Sequence, residues 1–389
     1  MFRDRETSRV LIKKAYPLQQ KIHYLKHVIG GIFLTTFLFC HHSSLASTSP
    51  QLPSPRHIHG TVVTVRSSSF KGEGLRARKE KEPEKKKRRM SLLFLLQILF
   101  FFCLISAPST TDAWGKEGHF MVCKIAEKYF SEKTKEAVQD LLPEIANGDL
   151  ASVCSWPDEV RFRYRWSSPL HYINTPGLCN YLYSRDCHNP TGQQGMCVVG
   201  AINNYTNQLY SYGDSKNTYN LTESLMFLSH FVGDVHQPLH VGFEADEGGN
   251  TIIVHWYRRK TNLHHVWDVS MIETAMKDFY DNDLNTMIDA IKLNITDDWS
   301  DELNKWENCQ NKRATCANDY ASESIKLSCS YAYKDVEQDS TLQDDYFYSR
   351  YPVVEKQIAK AGVRLAIILN HIFDAGTSYK MSSLFLQKE

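Results

Sequence analysis

The sequence predicts an all-α fold class, a mainly helical single domain with one small β element. Two features after residue 113 predict this. Apolar residues recur at helical spacing in seven segments, and only one short stretch has the composition of a strand. The 389 residues are 42% hydrophobic and 23% charged, which is ordinary for a globular protein.

Helical spacing is clear in residues 116–130, where apolar side chains recur every three to four positions. A second helix is expected over residues 131–142, where Pro143 would stop it. The other expected helices are residues 194–212, 222–235, 266–279, 284–291 and 352–373. No internal repeat is visible among them, so we expect one domain.

The single β candidate is residues 251–257, which read T-I-I-V-H-W-Y. The preceding residues, Glu247-Gly248-Gly249-Asn250, form a turn signal. A short strand or hairpin is expected there.

Charge divides the chain into two unlike parts. Residues 1–89 hold 19 Lys/Arg and 6 Asp/Glu, a net charge of +13, whereas the remaining 300 residues hold 26 and 38, a net charge of −12. An acidic body argues against a protein that grips nucleic acid with a broad Lys/Arg surface. If the body acts on phosphates, metal ions are the obvious source of positive charge.

The segment before the helices has the pattern of a secretory signal. Basic residues 85–89 precede an apolar run, 92–105, that is too short to span a bilayer comfortably. Cleavage after Ala113 would make Trp114 the new N-terminus. We therefore expect an upstream extension (1–89) outside the mature protein, a signal peptide (90–113), the folded domain (114–373) and a C-terminal tail (374–389). For residues 1–89, a real anchor or organelle-targeting segment is the alternative.

Cysteines and sequons also indicate export. An even number of Cys in an exported chain favours disulfides over free thiols, and none of these forms a CxxC zinc pair. Three N-x-T triplets, at Asn204, Asn220 and Asn294, are glycosylation acceptors. The eight Cys of the body are Cys123, Cys154, Cys179, Cys187, Cys197, Cys309, Cys316 and Cys329.

The clearest candidate metal ligands lie in residues 229–240, S-H-F-V-G-D-V-H-Q-P-L-H. His230 and Asp234 are four residues apart and share one face of a helix. His236 falls on another face. Pro238 breaks the helix and leaves His240 in a turn, free to point elsewhere.

Three further segments carry similar donors. His264 and Asp268 are again four apart in N-L-H-H-V-W-D, and Asp158 lies in C-S-W-P-D-E-V-R, followed later by His171. At the expected mature N-terminus, W-G-K-E-G-H, the α-amino group of Trp114 is a nitrogen donor and His119 lies five residues on.

Imidazole and carboxylate donors without thiolates suit zinc. Nine donors are enough for three ions if one carboxylate bridges, and clustered ions bind phosphate oxygens and activate water. A single His–Asp pair at this spacing is more often a surface hydrogen bond, but two pairs with the break at Pro238 favour a metal site. The remaining histidines are assigned to structure or to support of the ligands, and two tryptophans to the core instead of base stacking: His188, His236, His255, His265 and His371, and Trp156 and Trp267.

Taken in order, six motifs resemble the zinc-dependent single-strand nucleases of plants and moulds, from Trp114 to about Phe373. They are W-G-x-x-G-H, S-W-P-D-x-x-R, L-H-Y-I-N-T-P, H-F-V-G-D-V-H-Q-P-L-H, G-G-N and N-L-H-x-x-W-D. The resemblance implies a mainly helical fold shared with bacterial zinc phospholipase C. It also implies three zinc ions: one held by Asp158, His171, His230 and Asp234, a neighbour by Trp114, His119 and the shared Asp234, and a third by His240, His264 and Asp268.

The same resemblance implies an activity and roles for its residues. Single-stranded DNA and RNA would be cut to products with 5′-phosphates, and 3′-mononucleotides would lose their phosphate. Asp158 would accept or orient a proton, and Arg161 would clamp the phosphate, the alternative for Arg161 being a surface ion pair. Tyr172 and Asn174 would bind a base, so the accessible bases of single strands would be preferred.

The resemblance further implies the disulfides Cys123–Cys154, Cys179–Cys329, Cys187–Cys197 and Cys309–Cys316. The mature protein is expected to be a monomer. It is expected to enter the secretory pathway and to reside in an extracellular, vacuolar or endoplasmic-reticulum-derived compartment. It is expected neither to span a membrane nor to need a stable protein partner. Two alternatives for its function are a zinc phospholipase C and a non-catalytic secreted zinc-binding protein.

Overall fold

The structure is a computed structural model that describes residues 114–307 and 315–374. These residues all belong to one compact unit. The expected upstream extension, the signal peptide, Cys309 and the tail beyond Asp374 lie outside the described residues. Within the described part of the chain, no helix is both long and apolar enough to cross a membrane.

Helices dominate the described residues, so the predicted mainly helical fold is confirmed. Every expected segment contains a helix, although the bounds differ. The helices are α1 (Lys116–Lys128), α2 (Glu132–Leu141), α3 (Trp156–Glu159), α4 (Tyr183–Asp186), α5 (Val198–Leu209), α6 (Leu221–Asp234), α7 (Leu263–His265), α8 (Met271–Phe279), α9 (Leu284–Thr296), α10 (Leu303–Glu307), α11 (Ala317–Leu327) and α12 (Asp344–Phe373).

Helix α12 packs along α1 in the core and positions the N-terminal ligand segment. The two helices touch at Gly362, where an added Cβ would lie 2.5 Å from Cγ2 of Ile125 and 3.0 Å from the carbonyl oxygen of Val122. A glycine in mid-helix is intrinsically unfavourable, so its presence here follows from this close approach.

The expected start of the last helix at Pro352 is wrong, because α12 begins at Asp344 and carries Pro352 in its interior. Proline removes one backbone hydrogen bond from a helix. The residues before it nevertheless bury Tyr346, Phe347 and Tyr351 in the core. Tertiary burial therefore outweighs the local cost of the proline. Four short helices, α3, α4, α7 and α10, and the longer α11 were not expected.

The strands form two small sheets. The expected β element is present as strand β3 (Ile253–Trp256), which pairs antiparallel with β4 (Arg259–Asn262) and parallel with β5 (Thr341–Leu342). The other sheet was not expected. It pairs β1 (Ile173–Thr175) in parallel with β2 (Val241–Phe243), with Ile173 opposite Val241.

The β1–β2 pair matters because each strand follows a candidate ligand. His171 ends a 3-10 turn two residues before β1, and His240 ends the 3-10 turn immediately before β2.

Asp268, another candidate ligand, also lies in an irregular segment. Between α7 and α8, it is part of a π-helical turn over Val266–Ser270. Such turns are frequent at functional sites because they redirect side chains.

Candidate metal centre

Helix α6 presents two candidate ligands on one face. His230 and Asp234 are both fully buried, with His230 Nε2 3.3 Å from Asp234 Oδ2. Between them, a Cβ at Gly233 would lie 2.8 Å from Nδ1 of His119. The helix can therefore approach the histidine of α1 because residue 233 has no side chain.

Asp158 and His171 join this pair from two other segments. Asp158 lies in α3, with Oδ1 3.4 Å from His171 Nδ1 and Oδ2 3.5 Å from His230 Nε2. His171 Nδ1 is also 3.0 Å from Asp234 Oδ2. The structure thus brings together the four residues expected to hold the first ion.

His119 reaches the other oxygen of the same carboxylate. Its Nε2 atom lies 3.2 Å from Asp234 Oδ1, and its ring stacks on that of His230 with the centroids 3.8 Å apart. Asp234 therefore has one oxygen near His119 and the other near His171 and His230, as a bridging carboxylate requires.

Trp114 is fully buried at the start of α1. A Cβ atom added at Gly233 would lie 3.8 Å from Cδ1 of Trp114 and 2.8 Å from Nδ1 of His119. The indole of Trp114 therefore lies beside the His119 ring. The next residue, Gly115, donates its N–H to the carbonyl of Asp268 at 2.9 Å. The main chain of Trp114 therefore lies next to the segments that carry both ligand groups.

His240, His264 and Asp268 form a separate group. His264 Nε2 lies 3.1 Å from Asp268 Oδ2 and 3.1 Å from His240 Nε2. Three sets of residues each place their ligand atoms within 4.8 Å of one another. The sets are His119, Asp158 and His230; His171, His230 and Asp234; and His240, His264 and Asp268.

Backbone carbonyls orient three of the imidazoles. Each ring donates its Nδ1–H to a carbonyl, which fixes the ring and turns Nε2 toward the cluster. The pairs are His230 with Cys154 at 2.8 Å, His240 with His171 at 2.7 Å, and His264 with Gly248 at 2.7 Å.

The donor chemistry of these groups fits a cation. In neutral His240 and His264 the two Nε2 lone pairs face each other at 3.1 Å, an arrangement that a shared cation stabilises. Both oxygens of Asp158 and Oδ1 of Asp234 are buried without a hydrogen-bond partner. Buried carboxylates of this kind are costly unless a cation compensates them.

Comparison with known proteins agrees with this geometry. Residues 114–374 match the model of the S1/P1 Nuclease family. The chain belongs to the S1/P1 nuclease family. It is 59% identical over 268 residues to Endonuclease 4 of Arabidopsis thaliana, covering 67% of this chain and 90% of that protein. It is 54% identical over 282 residues to Endonuclease 2 of the same plant, covering 72% of this chain and 97% of that protein. It is 33% identical over 284 residues to Nuclease S1 of Aspergillus oryzae, covering 69% of this chain and 94% of that protein.

The resemblance drawn from the motifs is thus confirmed, and this S1/P1 nuclease is a hydrolytic endonuclease. Its relatives carry nuclease names, which argues against a non-catalytic zinc-binding protein. Its three His/Asp groups are the part of the described structure that could bind metal.

Burial holds most ligand imidazoles of this S1/P1 nuclease in the neutral form that binds metal. It lowers the pKa of His171 and His240 well below the ordinary value and that of His264 to about 4. Burial also acts to lower the pKa of His230, but the carboxylates of Asp234 and Asp158 outweigh it and raise that pKa to about 10. The carboxylates of Asp158 and Asp234 therefore favour a positive charge at the centre of the first group.

Arg161 lies at the edge of the cluster. Its Nη1 atom is 3.6 Å from Asp158 Oδ1, so it does form an ion pair, though with a candidate ligand instead of a surface acid. Its charge helps to lower the pKa of His171, His240 and His264. The guanidinium is thus placed to meet an anion that approaches the ligand groups.

Tyr172 and Asn174 follow His171 along β1 and are both half-buried. Burial raises the pKa of Tyr172, and the charges of Arg161 and Glu247 also act on it. Both side chains are thus partly accessible, and Tyr172 directly follows the candidate ligand His171.

Three expected disulfides are present: Cys123–Cys154, Cys179–Cys329 and Cys187–Cys197. The first joins α1 to the residue whose carbonyl orients His230. The fourth pair includes Cys309, which lies outside the described residues.

The three sequons differ in environment. Asn204 and Asn220 are exposed, and Asn220 caps α6 by accepting the N–H of Glu223 with its Oδ1. Asn204 lies within α5 and Asn294 within α9, where Asn294 donates from Nδ2 to Glu355 at 3.1 Å. In the folded protein the Asn294 amide is therefore engaged with α12.

Sequence reasoning missed residues that support the ligands. Gln237 donates to Asp268, and Gly248, at φ 66°, lets its carbonyl reach His264. Both lie in quoted motifs, so their positions were visible although their roles were not. The histidine assigned to structure in the same segment, His236, is buried and contacts Arg364 at 2.8 Å.

Proposed function

We propose that the mature protein is a zinc-dependent endonuclease that cuts single-stranded DNA and RNA and leaves 5′-phosphates. We also propose that it removes the phosphate of 3′-mononucleotides. The observation that carries this proposal is the convergence of buried histidines and aspartates on Asp234, whose two oxygens face different histidines. The names Nuclease S1 and Endonuclease 4 of its relatives support the substrate class.

The ligand groups are suited to three zinc ions. The first would be held by Asp158, His171, His230 and Asp234, the second by Asp234, His119 and the main chain of Trp114, and the third by His240, His264 and Asp268. When bound, zinc supplies positive charge for the phosphate oxygens and lowers the pKa of water for hydrolysis.

The protein's own groups would orient the substrate and move the proton. The carboxylate of Asp158 can accept a proton from the attacking water, since its oxygens make no hydrogen bond. Arg161, 3.6 Å from that carboxylate, can bind a phosphate oxygen and stabilise the charge that develops on it. Tyr172 and Asn174 can take an unpaired base by stacking and hydrogen bonding, which duplex DNA would not offer.

Export supplies the last ligand. Removal of a signal peptide after Ala113 would free the α-amino group of Trp114, and the three disulfides fit passage through an oxidising compartment. We propose residues 114–373 as the mature, monomeric domain, with glycans at exposed Asn204 and Asn220.

The test is hydrolysis by purified mature protein of single-stranded DNA, the matching duplex, 3′-AMP and phosphatidylcholine, with metal content measured in parallel. We expect about three zinc per chain, activity on the first and third substrates, loss in chelator and recovery with zinc. An active protein free of zinc would overturn the proposal, and a preference for phosphatidylcholine would make it a phospholipase C.

The role of Trp114 has its own test, the N-terminal sequence of the active enzyme. We expect it to begin at Trp114, and a form retaining Ala113 should bind less zinc. Full activity with a blocked or longer N-terminus would refute the main-chain ligand.

A further inference from the structure

Residues 162–166, here called the aromatic loop, are the most unusual surface next to the metal centre. They read F-R-Y-R-W and directly follow Arg161. Phe162 is 70% exposed and Trp166 50% exposed. Single exposed rings are common, but two of them within residues 162–166, next to a candidate metal centre, form a patch that suits a binding surface.

The loop is also a concentration of positive charge. Arg161, Arg163 and Arg165 fall within five residues, and residues 160–171 contain no Asp or Glu. The surrounding body, residues 90–389, has a net charge of −12. An anion near the metal centre would thus find a local attraction although the body as a whole is acidic.

Contacts fix the loop to the elements that carry the ligands. Tyr164 donates its hydroxyl to Glu223 of α6 at 3.0 Å and packs edge-on against Trp156 of α3, with the centroids 6.0 Å apart. The ring centroid of Trp166 lies 5.7 Å from that of Phe227. Phe227 lies on α6, three residues before His230. Tyr164 and Trp166 are therefore held at a defined place relative to the ligand groups.

The rings and guanidinium groups are already arranged for stacking. The Tyr164 and Trp166 rings stack at 5.7 Å with an interplanar angle of 26°. The guanidinium of Arg163 lies 5.4 Å from the centroid of Phe162. The backbone N–H groups of Arg163 and Tyr164 both donate hydrogen bonds to the carbonyl oxygen of Val160 at 2.8 Å, which stabilises the turn.

We propose that the aromatic loop is a strand-binding platform for the nucleotides that flank the scissile phosphate. Exposed rings would stack on bases and the arginines would contact backbone phosphates, the combination that single-stranded nucleic acid requires. Duplex DNA hides its base faces, so the platform adds to single-strand selectivity. The proposal rests on the proposed nuclease function and extends it beyond the one nucleotide at Tyr172.

The test compares a 12-residue single-stranded oligonucleotide with 3′-AMP, which has no flanking nucleotides, on zinc-loaded enzyme. Phe162→Ala and Arg163→Gln alter exposed side chains, so the fold should be retained, which melting temperature checks. Tyr210→Ala and Arg258→Gln are matched controls at exposed positions elsewhere. For Phe162→Ala we expect kcat/KM on the oligonucleotide to fall about tenfold or more through KM, with little change on 3′-AMP.

Arg163→Gln has a second readout, the salt dependence of KM for the oligonucleotide. Loss of one phosphate contact should lower the slope of log KM against log salt by about 0.7. Trp166→Leu should act like Phe162→Ala. The controls should leave both readouts at wild-type values.

Several outcomes overturn the platform. Wild-type kinetics on the oligonucleotide in all three loop variants would remove it while leaving the nuclease function intact. An equal loss on 3′-AMP would make the loop a structural support of the metal centre. Phe162-dependent binding to phosphatidylserine vesicles with unchanged oligonucleotide kinetics would make it a membrane contact. A wild-type enzyme that cuts no nucleic acid would refute both proposals.

Discussion

Gly233→Ala should weaken metal binding even though alanine is the better helix former. The added Cβ would lie 2.8 Å from Nδ1 and 3.0 Å from Cε1 of His119. His119 is fully buried, and the ring of His230 stacks on it at 3.8 Å, which limits its retreat. Any shift moves His119 Nε2 away from Asp234, now at 3.2 Å.

The magnitude follows from two opposed terms. Replacing glycine by alanine in a helix gains about 1 kcal/mol, whereas overpacking a core costs about 1–3 kcal/mol. The unfolding free energy should therefore fall by about 0–2 kcal/mol. Metal affinity should fall further, by about 10- to 100-fold, as it does when the support of a ligand is disturbed.

Zinc titration against a competing chelator measures this affinity, and hydrolysis of single-stranded DNA at limiting zinc follows it. Ser229→Ala on the same helix is the matched control, because Ser229 Oγ is buried without a hydrogen-bond partner and its removal adds no atoms. The reasoning fails if Gly233→Ala binds zinc like wild type and melts higher, because helix propensity alone predicts that result.

Three other variants test separate parts of the molecule. Asp234→Asn should lose metal from two sites together, so zinc content near wild type would contradict the bridging role. Gly362→Ala should destabilise by about 0–2 kcal/mol because its Cβ meets Ile125 at 2.5 Å, and a raised melting temperature would refute the close approach. Burial raises the pKa of Glu355 to about 7 from an ordinary 4.5, so its contribution to stability is full below pH 4.5 and is lost as pH rises through 7, by about 3 kcal/mol. Glu355→Gln, which keeps the acceptor for Asn294, should remove that loss, and parallel pH–stability curves for both proteins would count against it.

Local patterns were enough to predict most of the longer helices and the paired ligands. His230 with Asp234, and His264 with Asp268, are both four residues apart, which the periodicity of a helix turns into proximity. Asp158, His171 and His119 carry no such spacing, so their roles came from the order of the motifs. Their convergence is a property of the packed fold.

The rest depended on contacts that single-sequence patterns do not record. Strands β1 and β2 have three residues each and are separated by 65 residues, so no alternation marks them, yet their register brings His171 to His240. The proline in α12 gave a false boundary because buried aromatic residues before it outweigh a lost hydrogen bond. The residues of the aromatic loop can be read from the sequence, but the exposure of Phe162 and Trp166, which suggests a role for them, is seen only in the structure.

The electrostatics of the body explain why positive charge is needed close to the metal centre. Residues 90–389 carry a net charge of −12, so the body as a whole does not attract a polyanion. Attraction near the site of cleavage would come from the ions that the His/Asp groups would hold and from the arginines that follow Asp158. A strand would then be drawn to that site instead of being held along a broad basic face. Such focusing would favour binding where cleavage occurs over binding elsewhere on the enzyme.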